Sequence, residues 1–354
     1  MNNTLTIRSH DELIAYVPHL LGFQQIESSM VCLAIGGGGP TARLDPPDSP
    51  EAMRQFLDQM SDVYLRRHPT RRVALIAFGE DGRACIEALS ALGETLVDSD
   101  RGPDVGPMLW VNGEEWFDVL DGTSGTVDPA TRVRMAAEFA LMGRAMPVAT
   151  REDLAAAMQG DPTAVAEHLP AAEARVLDMD AAALHAEVGW LGTRLDQFRS
   201  DREYLSDVDA ARVLAVIHDS GARNAAEMRM TRENAPVYSE FFHDLVRRAP
   251  AEVRDTPAAM LALSSYLEGK GAQAWVALDQ ISEARPPLAD LVATALEQAI
   301  DPREWERALQ PAVPGSLMQQ AALRDRTAPE RRTHDQDAHN THGVDGPESS
   351  TPGR

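Results

Sequence analysis

The stretch RVALIAF, at Arg72–Phe78, is the strongest strand signal in the chain. A short apolar run of this kind, rich in β-branched residues, predicts a buried strand. Upstream, SMVCLAI at 29–35 predicts a second buried strand, and Thr41–Asp45 predicts a third that pairs with it as a hairpin. A helix that begins at Ser49-Pro50-Glu51 then joins 41–45 to 72–78, so we expect a right-handed crossover onto a parallel neighbour.

The front of the chain contains further helix and turn signals. Ser9-His10-Asp11-Glu12 has the pattern of a capping box and predicts a short helix, which we expect Pro18 to end early. A helix is predicted over 82–92. A second hairpin is predicted over 109–119, with Asn112-Gly113 at the centre of a type I′ turn.

From Asp128-Pro129 onward the periodicity is helical and no convincing strand follows. Helices are predicted over 130–146, 151–159, 172–199, 207–218, 222–231, 235–248, 257–269, 271–284, 287–299 and 302–309. The fold class is therefore predicted as α+β or mixed α/β, with an N-terminal mixed sheet and flanking helices followed by an α-helical domain. The predicted domains are 1–127 (mixed α/β), 128–310 (helical) and a disordered polar tail over 311–354.

Composition excludes several classes of protein. The chain has 354 residues and a formal net charge of −22, and the acidic residues are spread over its whole length. Such a field repels phosphate backbones and anionic lipids, so we expect neither nucleic acid nor membrane as a partner. The two cysteines provide no disulfide framework and no zinc spacing. No apolar stretch reaches the roughly 20 residues of a membrane span, and the start of the sequence is not typical of a signal peptide, which predicts a cytoplasmic protein.

Segments distributed along the chain resemble an uncharacterised actinobacterial family, domain of unknown function 4192. They are Asp11–Phe23, Glu27–Val31, Ala42–Pro46, Gly143-Arg144 with Arg151–Leu154, Pro257–Leu278 and Pro302–Trp305. The resemblance covers about residues 9–308 in the same order. It implies the organisation above and no known activity. Members often carry a Cys-rich turn where this chain has Leu120–Thr126, so a metal or redox role for that turn would not transfer.

One group of polar residues is the candidate binding site. If the first helix packs over the first hairpin, one strand end would gather a histidine, two hydroxyls and an ion pair: His19, Gly22, Ser28, Ser29, Arg43 and Asp45. A hydrolase would need a nucleophile within hydrogen-bond reach of a base. No nucleophile-elbow pattern is present, and a structural Arg43–Asp45 pair explains the same residues. No catalytic residue is therefore predicted.

Three other patterns are better explained without a ligand. Gly36–Gly39 lacks the Lys-Ser/Thr and the helix of a phosphate-binding loop, so it is read as a hairpin turn. The acidic run at 114–121 does not have EF-hand spacing. His334, His339 and His342 lie in the polar tail. The sequence thus predicts no metal site and no cofactor.

Two functions remain open. The favoured one is a non-catalytic binding or interaction module whose helical domain docks a protein partner. The alternative is an enzyme or small-ligand-binding protein with a site near residues 19–45. Nucleic-acid binding is a distant third because of the charge. The oligomeric state is not predicted.

Overall fold

A six-stranded mixed sheet forms the N-terminal part of the structure. The structure is a computed structural model, and it describes residues 5–24, 26, 28–35, 41–99, 102–143, 146–282 and 285–309. In chain order the strands are β1 Ser29–Ile35, β2 Thr41–Leu44, β3 Arg72–Phe78, β4 Asp104–Asn112, β5 Glu115–Asp118 and β6 Ser124–Thr126. Their order in the sheet is β2-β1-β3-β4-β5-β6. Only β3 and β4 run parallel among these neighbours. RVALIAF is thus a central strand, buried from its second residue onward, and the predicted mixed sheet is confirmed.

The crossover from β2 to β3 differs from the prediction in one respect. It consists of α2 (Pro50–Asp58) and a π-helical segment, Gln59–Leu65. β2 and β3 run in the same direction, but β1 lies between them and is antiparallel to both. The parallel neighbour of β3 is instead β4, which follows α3 (Gly82–Val97). The first hairpin causes this, because it places β2 on the outer side of β1 and leaves β1 to pair with β3.

Alternating residues of the central strands enter two cores. Met30 and Cys32 face the π-helical segment and α3, where they join Met60 and Leu89. Val31, on the opposite face of β1, packs against α1 (His10–Leu21) in a second apolar cluster. A strand buried on both faces is continuously apolar, which is why RVALIAF and SMVCLAI show no alternation.

Helix α1 continues beyond its proline, so the predicted early end at Pro18 is wrong. The helix runs to Leu21 and ends at Gly22, whose φ is +86° and whose N–H donates to the Pro18 carbonyl. Proline disfavours the helical conformation of the residue before it. Here that residue is Val17, which is fully buried in the core against the sheet and is held in the helix by packing.

Every element that the structure describes between Pro129 and Leu309 is helical, as predicted, but α4, α9 and α12 end earlier than predicted, at Leu141, Glu227 and Leu278. The helices are α4 Pro129–Leu141, α5 Arg151–Ala157, α6 Thr163–Leu177, α7 Ala181–Asp201, α8 Asp207–Val216, α9 Ser220–Glu227, α10 Ala235–Arg248, α11 Asp255–Glu268, α12 Gly271–Leu278, α13 Pro287–Glu297 and α14 Pro302–Leu309. α11 is at the centre: every residue from Thr256 to Leu267 is buried. The described residues up to Arg307 group as one compact unit. The predicted boundary at residue 127 stays a prediction, and the tail over 311–354 with its three histidines lies outside the described residues.

Two local predictions are corrected. The single helix predicted over 172–199 is divided between α6 and α7, because Asp180 caps α7 by accepting from the Ala183 N–H. The second hairpin does not have Asn112 at the centre of its turn. Asn112 pairs with Glu115, and Gly113, with φ +61°, takes the first central position, as in a type II′ turn.

Candidate functional site

Arg43 lies on the face of β2 that is turned toward α1, directly opposite Val31. Its guanidinium is 3.5 Å from the Asp45 carboxylate, whose side chain is 87% exposed. Burial lowers the pKa of Arg43; Asp45 opposes this shift and Arg151 adds to it. Arg43 Nε is buried and has no hydrogen-bond partner among the described residues. The predicted ion pair therefore exists, but its acidic member is largely in water.

His19 is placed in a different contact. Its ring stacks on Phe139 of α4, with the centroids 4.1 Å apart and the planes at 11°. Phe139 belongs to a small α1–α4 cluster with Ala15 and Met135, separate from the core against the sheet. The Nδ1 atom is buried without a hydrogen-bond partner among the described residues, and burial lowers the pKa of the ring.

The remaining predicted residues lie where α1 ends and β1 begins. Gly22 forms the left-handed cap of α1. Ser28 is exposed and has φ +41°, while Ser29 is 1% exposed and pairs with Phe78. Ser29 and Arg43 are thus on the same face of the sheet, whereas His19 contacts α4. That these six residues bind a ligand stays a prediction.

Asp118 is a buried acidic residue to which the sequence analysis gave no role of its own. It is 4% exposed and accepts hydrogen bonds from the N–H groups of Leu120 at 2.9 Å and Met108 at 3.4 Å. His10 Nε2 is 3.4 Å from its second oxygen. These contacts fix the turn that follows β5. Among the described residues, no three His, Cys, Asp or Glu side chains are grouped so that they would hold a metal ion.

An open cavity of about 740 Å³ lies between α7 and the start of α10, and we call it the α7–α10 groove. Its lining exposes polar and apolar surface in similar amounts and comprises Asp196, Arg199, Arg229, Thr231, Glu233, Asn234, Val237 and Tyr238. Sequence reasoning missed this site, because its residues come from two stretches separated by about thirty positions. A local signal is Gly192, one of two glycines in the middle of the long helix α7, where glycine is unfavourable.

Gly192 makes room for Arg229. An ideal Cβ at position 192 would be 2.9 Å from Arg229 Cζ and closer still to Nη2. Without that carbon, the guanidinium lies against α7 and its Nη1 reaches Asp196 Oδ2 at 3.2 Å. Arg199 Nη2 is 3.6 Å from the other oxygen of the same carboxylate. Two guanidinium groups therefore share one acidic partner in the groove.

Hydrogen bonds fix the loop that forms the other wall. Asn234 Oδ1 accepts from the Thr231 N–H at 2.7 Å, and Asn234 Nδ2 donates to the Arg229 carbonyl at 2.8 Å. Tyr238 is 1% exposed. Burial raises the pKa of its hydroxyl; Asp196 raises it further, while Arg199 and Arg229 lower it.

The comparison with protein families identifies the chain. A family model described as Domain of unknown function (DUF4192) matches residues 11–303. The chain belongs to this family. No curated protein and no solved structure matches it. None of the described helices is long and apolar enough to span a membrane.

Proposed function

We propose that this member of the DUF4192 family is a non-catalytic binding module that docks a protein partner through the α7–α10 groove. The supporting observation is the groove itself: an open cavity of about 740 Å³ with two partly exposed arginines in its lining. Arginine is enriched among the residues that contribute most to protein–protein binding. Small-molecule pockets enclose most of the surface of their ligands, whereas this groove is open.

The proposal includes the setting of the protein. We place it in the cytoplasm of an actinobacterial host, with no nucleic acid and no membrane as partner. The net charge of −22 supports the exclusion of nucleic acid and membrane, because it opposes binding to phosphate backbones and to anionic lipids.

Co-purification of the full chain from its native host tests the proposal. Three forms are compared at native abundance: the wild type, Arg229→Gln in the groove, and Arg66→Gln as a control. Arg66 pairs with Asp62 at 2.8 Å and is 75% exposed, within the crossover between β2 and β3. We expect a stoichiometric partner with the wild type and with Arg66→Gln, and its loss with Arg229→Gln. A partner that all three retain equally, or no enriched partner, would contradict the proposal.

One observation favours the second candidate, a small-ligand site near residues 19–45. Arg43 keeps a buried Nε without a partner among the described residues and experiences the positive charge of Arg151. A guanidinium in this state would donate a hydrogen bond to an anionic ligand. A thermal-shift screen of nucleotides and metabolites tests this, because a ligand of the native state raises the melting temperature. Arg43→Ala should fold and lose the shift; a flat screen counts against the site.

A further inference from the structure

We infer that the α7–α10 groove binds a carboxylate, the side chain of an aspartate or glutamate in the partner, between Arg199 and Arg229. This inference rests on the function proposed above and adds the chemistry of recognition. It starts from a mismatch between donors and acceptors. Each guanidinium offers five N–H donors in a fork that matches a carboxylate. Among the described residues, the two arginines share one carboxylate partner, that of Asp196.

Within the described residues, Asp196 accepts one hydrogen bond from these two arginines, which are partly exposed, so their remaining N–H groups are open to solvent. Arg229 donates to one oxygen of Asp196 at 3.2 Å. Arg199 is 3.6 Å from the other oxygen, too far for a good hydrogen bond. A second carboxylate entering from solvent would accept bonds from both arginines.

Glu233 determines what accompanies the carboxylate. It is exposed and lines the same groove, so it repels an incoming acidic group and attracts a basic one. The whole chain, at −22, also repels a purely acidic segment. The segment that fits both facts has an acidic residue flanked by basic residues, with the acid at the two arginines and a base near Glu233.

A pair of capped peptides tests this chemistry, Gly-Lys-Glu-Lys-Gly and Gly-Lys-Gln-Lys-Gly, titrated into the full chain and followed by NMR or calorimetry. Non-specific attraction to an acidic protein favours the glutamine peptide, because its net charge is more positive. A carboxylate site favours the glutamate peptide instead. We expect the glutamate peptide to bind about ten-fold more tightly, as is typical for a charge-assisted pair.

Four variants assign the preference to the groove. Arg229→Gln and Arg199→Gln should each abolish it. Gly192→Ala should weaken the preference for glutamate, because the new Cβ displaces the Arg229 guanidinium. Gly189→Ala in the same helix should leave the preference unchanged, because nothing lies within 4 Å of a Cβ there. Circular dichroism melts check that each variant is folded; both arginines are partly exposed, at 53% and 41% of the side chain.

Equal binding of the two peptides, tighter binding of the glutamine peptide, or a preference that survives both arginine substitutions would overturn the inference. The two levels of the proposal fail separately. If Arg229→Gln releases the native partner but no preference for glutamate exists, the groove is the docking site and its ligand is not a carboxylate. If the native partner is retained by Arg229→Gln, the proposed function itself is wrong.

Discussion

Glu227, near the end of α9, should make the stability of this protein depend on pH in an unusual direction. The residue is 8% exposed, and its partner Arg223 is 3.5 Å away. Burial raises the pKa of Glu227 from 4.5 to about 6, against the opposing charge of Arg223. Each pKa unit corresponds to about 1.36 kcal/mol, so the charged form costs the folded state about 2 kcal/mol.

The sign follows from proton binding. Between pH 4.5 and about 6 the folded state holds a proton on Glu227 that the unfolded state releases. The cost is therefore fully present above pH 6 and absent below pH 4.5. Glu227→Gln should raise the free energy of unfolding by about 2 kcal/mol at pH 7.5 and leave it almost unchanged at pH 4.5. The loss of the Arg223 pair is already included, because that charge acts on the same pKa.

Urea unfolding of the wild type and the variant at half-unit steps of pH measures this difference directly. Glu167→Gln on α6 is a matched control, because Glu167 is exposed and the same change of charge should have little effect. The reasoning is refuted if the wild type and Glu227→Gln give parallel profiles across this range. It is also refuted if the variant is the less stable of the two at neutral pH.

Three further predictions concern single contacts, and urea or thermal unfolding checks each. Glu187→Ala should lower the free energy of unfolding by about 3 kcal/mol, because this 3%-exposed carboxylate is 2.7 Å from Arg212 Nη2 and 2.8 Å from Arg175 Nη2. Arg175→Ala removes a half-exposed partner and should lower the free energy of unfolding by less than about 1 kcal/mol. Equal losses for the two variants would contradict this account. Gly189→Ala should stabilise α7 by about 1 kcal/mol, since the site is exposed and open; a destabilised variant would show that the glycine has a role the contacts do not reveal. Thr150→Ala should cost about 1 kcal/mol by removing the reciprocal capping box of α5, and an unchanged melting temperature would argue that the cap is dispensable.

Local chemistry made most helix starts predictable, whereas several helices end earlier than their periodicity predicts. Asp128 and Thr150 cap α4 and α5 as their residue types indicate, and the Ser9 hydroxyl accepts from the Glu12 N–H at the start of α1. The errors arose where a second local signal competed. Pro18 was given more weight than the apolar contacts around it, and Asp180 was not recognised as a cap between α6 and α7.

The candidate site was less predictable than the fold. Arg43 and Asp45 are two residues apart, so strand geometry alone indicated their contact. His19 could be assigned to α1 but not to a face of it, because the packing of α4 against α1 decided that its ring stacks on Phe139. The α7–α10 groove had no local signature, since Asp196 and Arg229 meet only when α7 and α9 pack together.

The sequence by itself determined the mixed sheet and the helical remainder, because apolar periodicity and capping residues act over a few neighbouring positions. Tertiary structure alone decided that β1 separates β2 from β3, and that Gly192 lets one guanidinium lie against a distant helix. The physical reason is the same in both cases. Strand order and inter-helix contacts depend on which surfaces pack together in three dimensions, and no spacing along the chain encodes that choice.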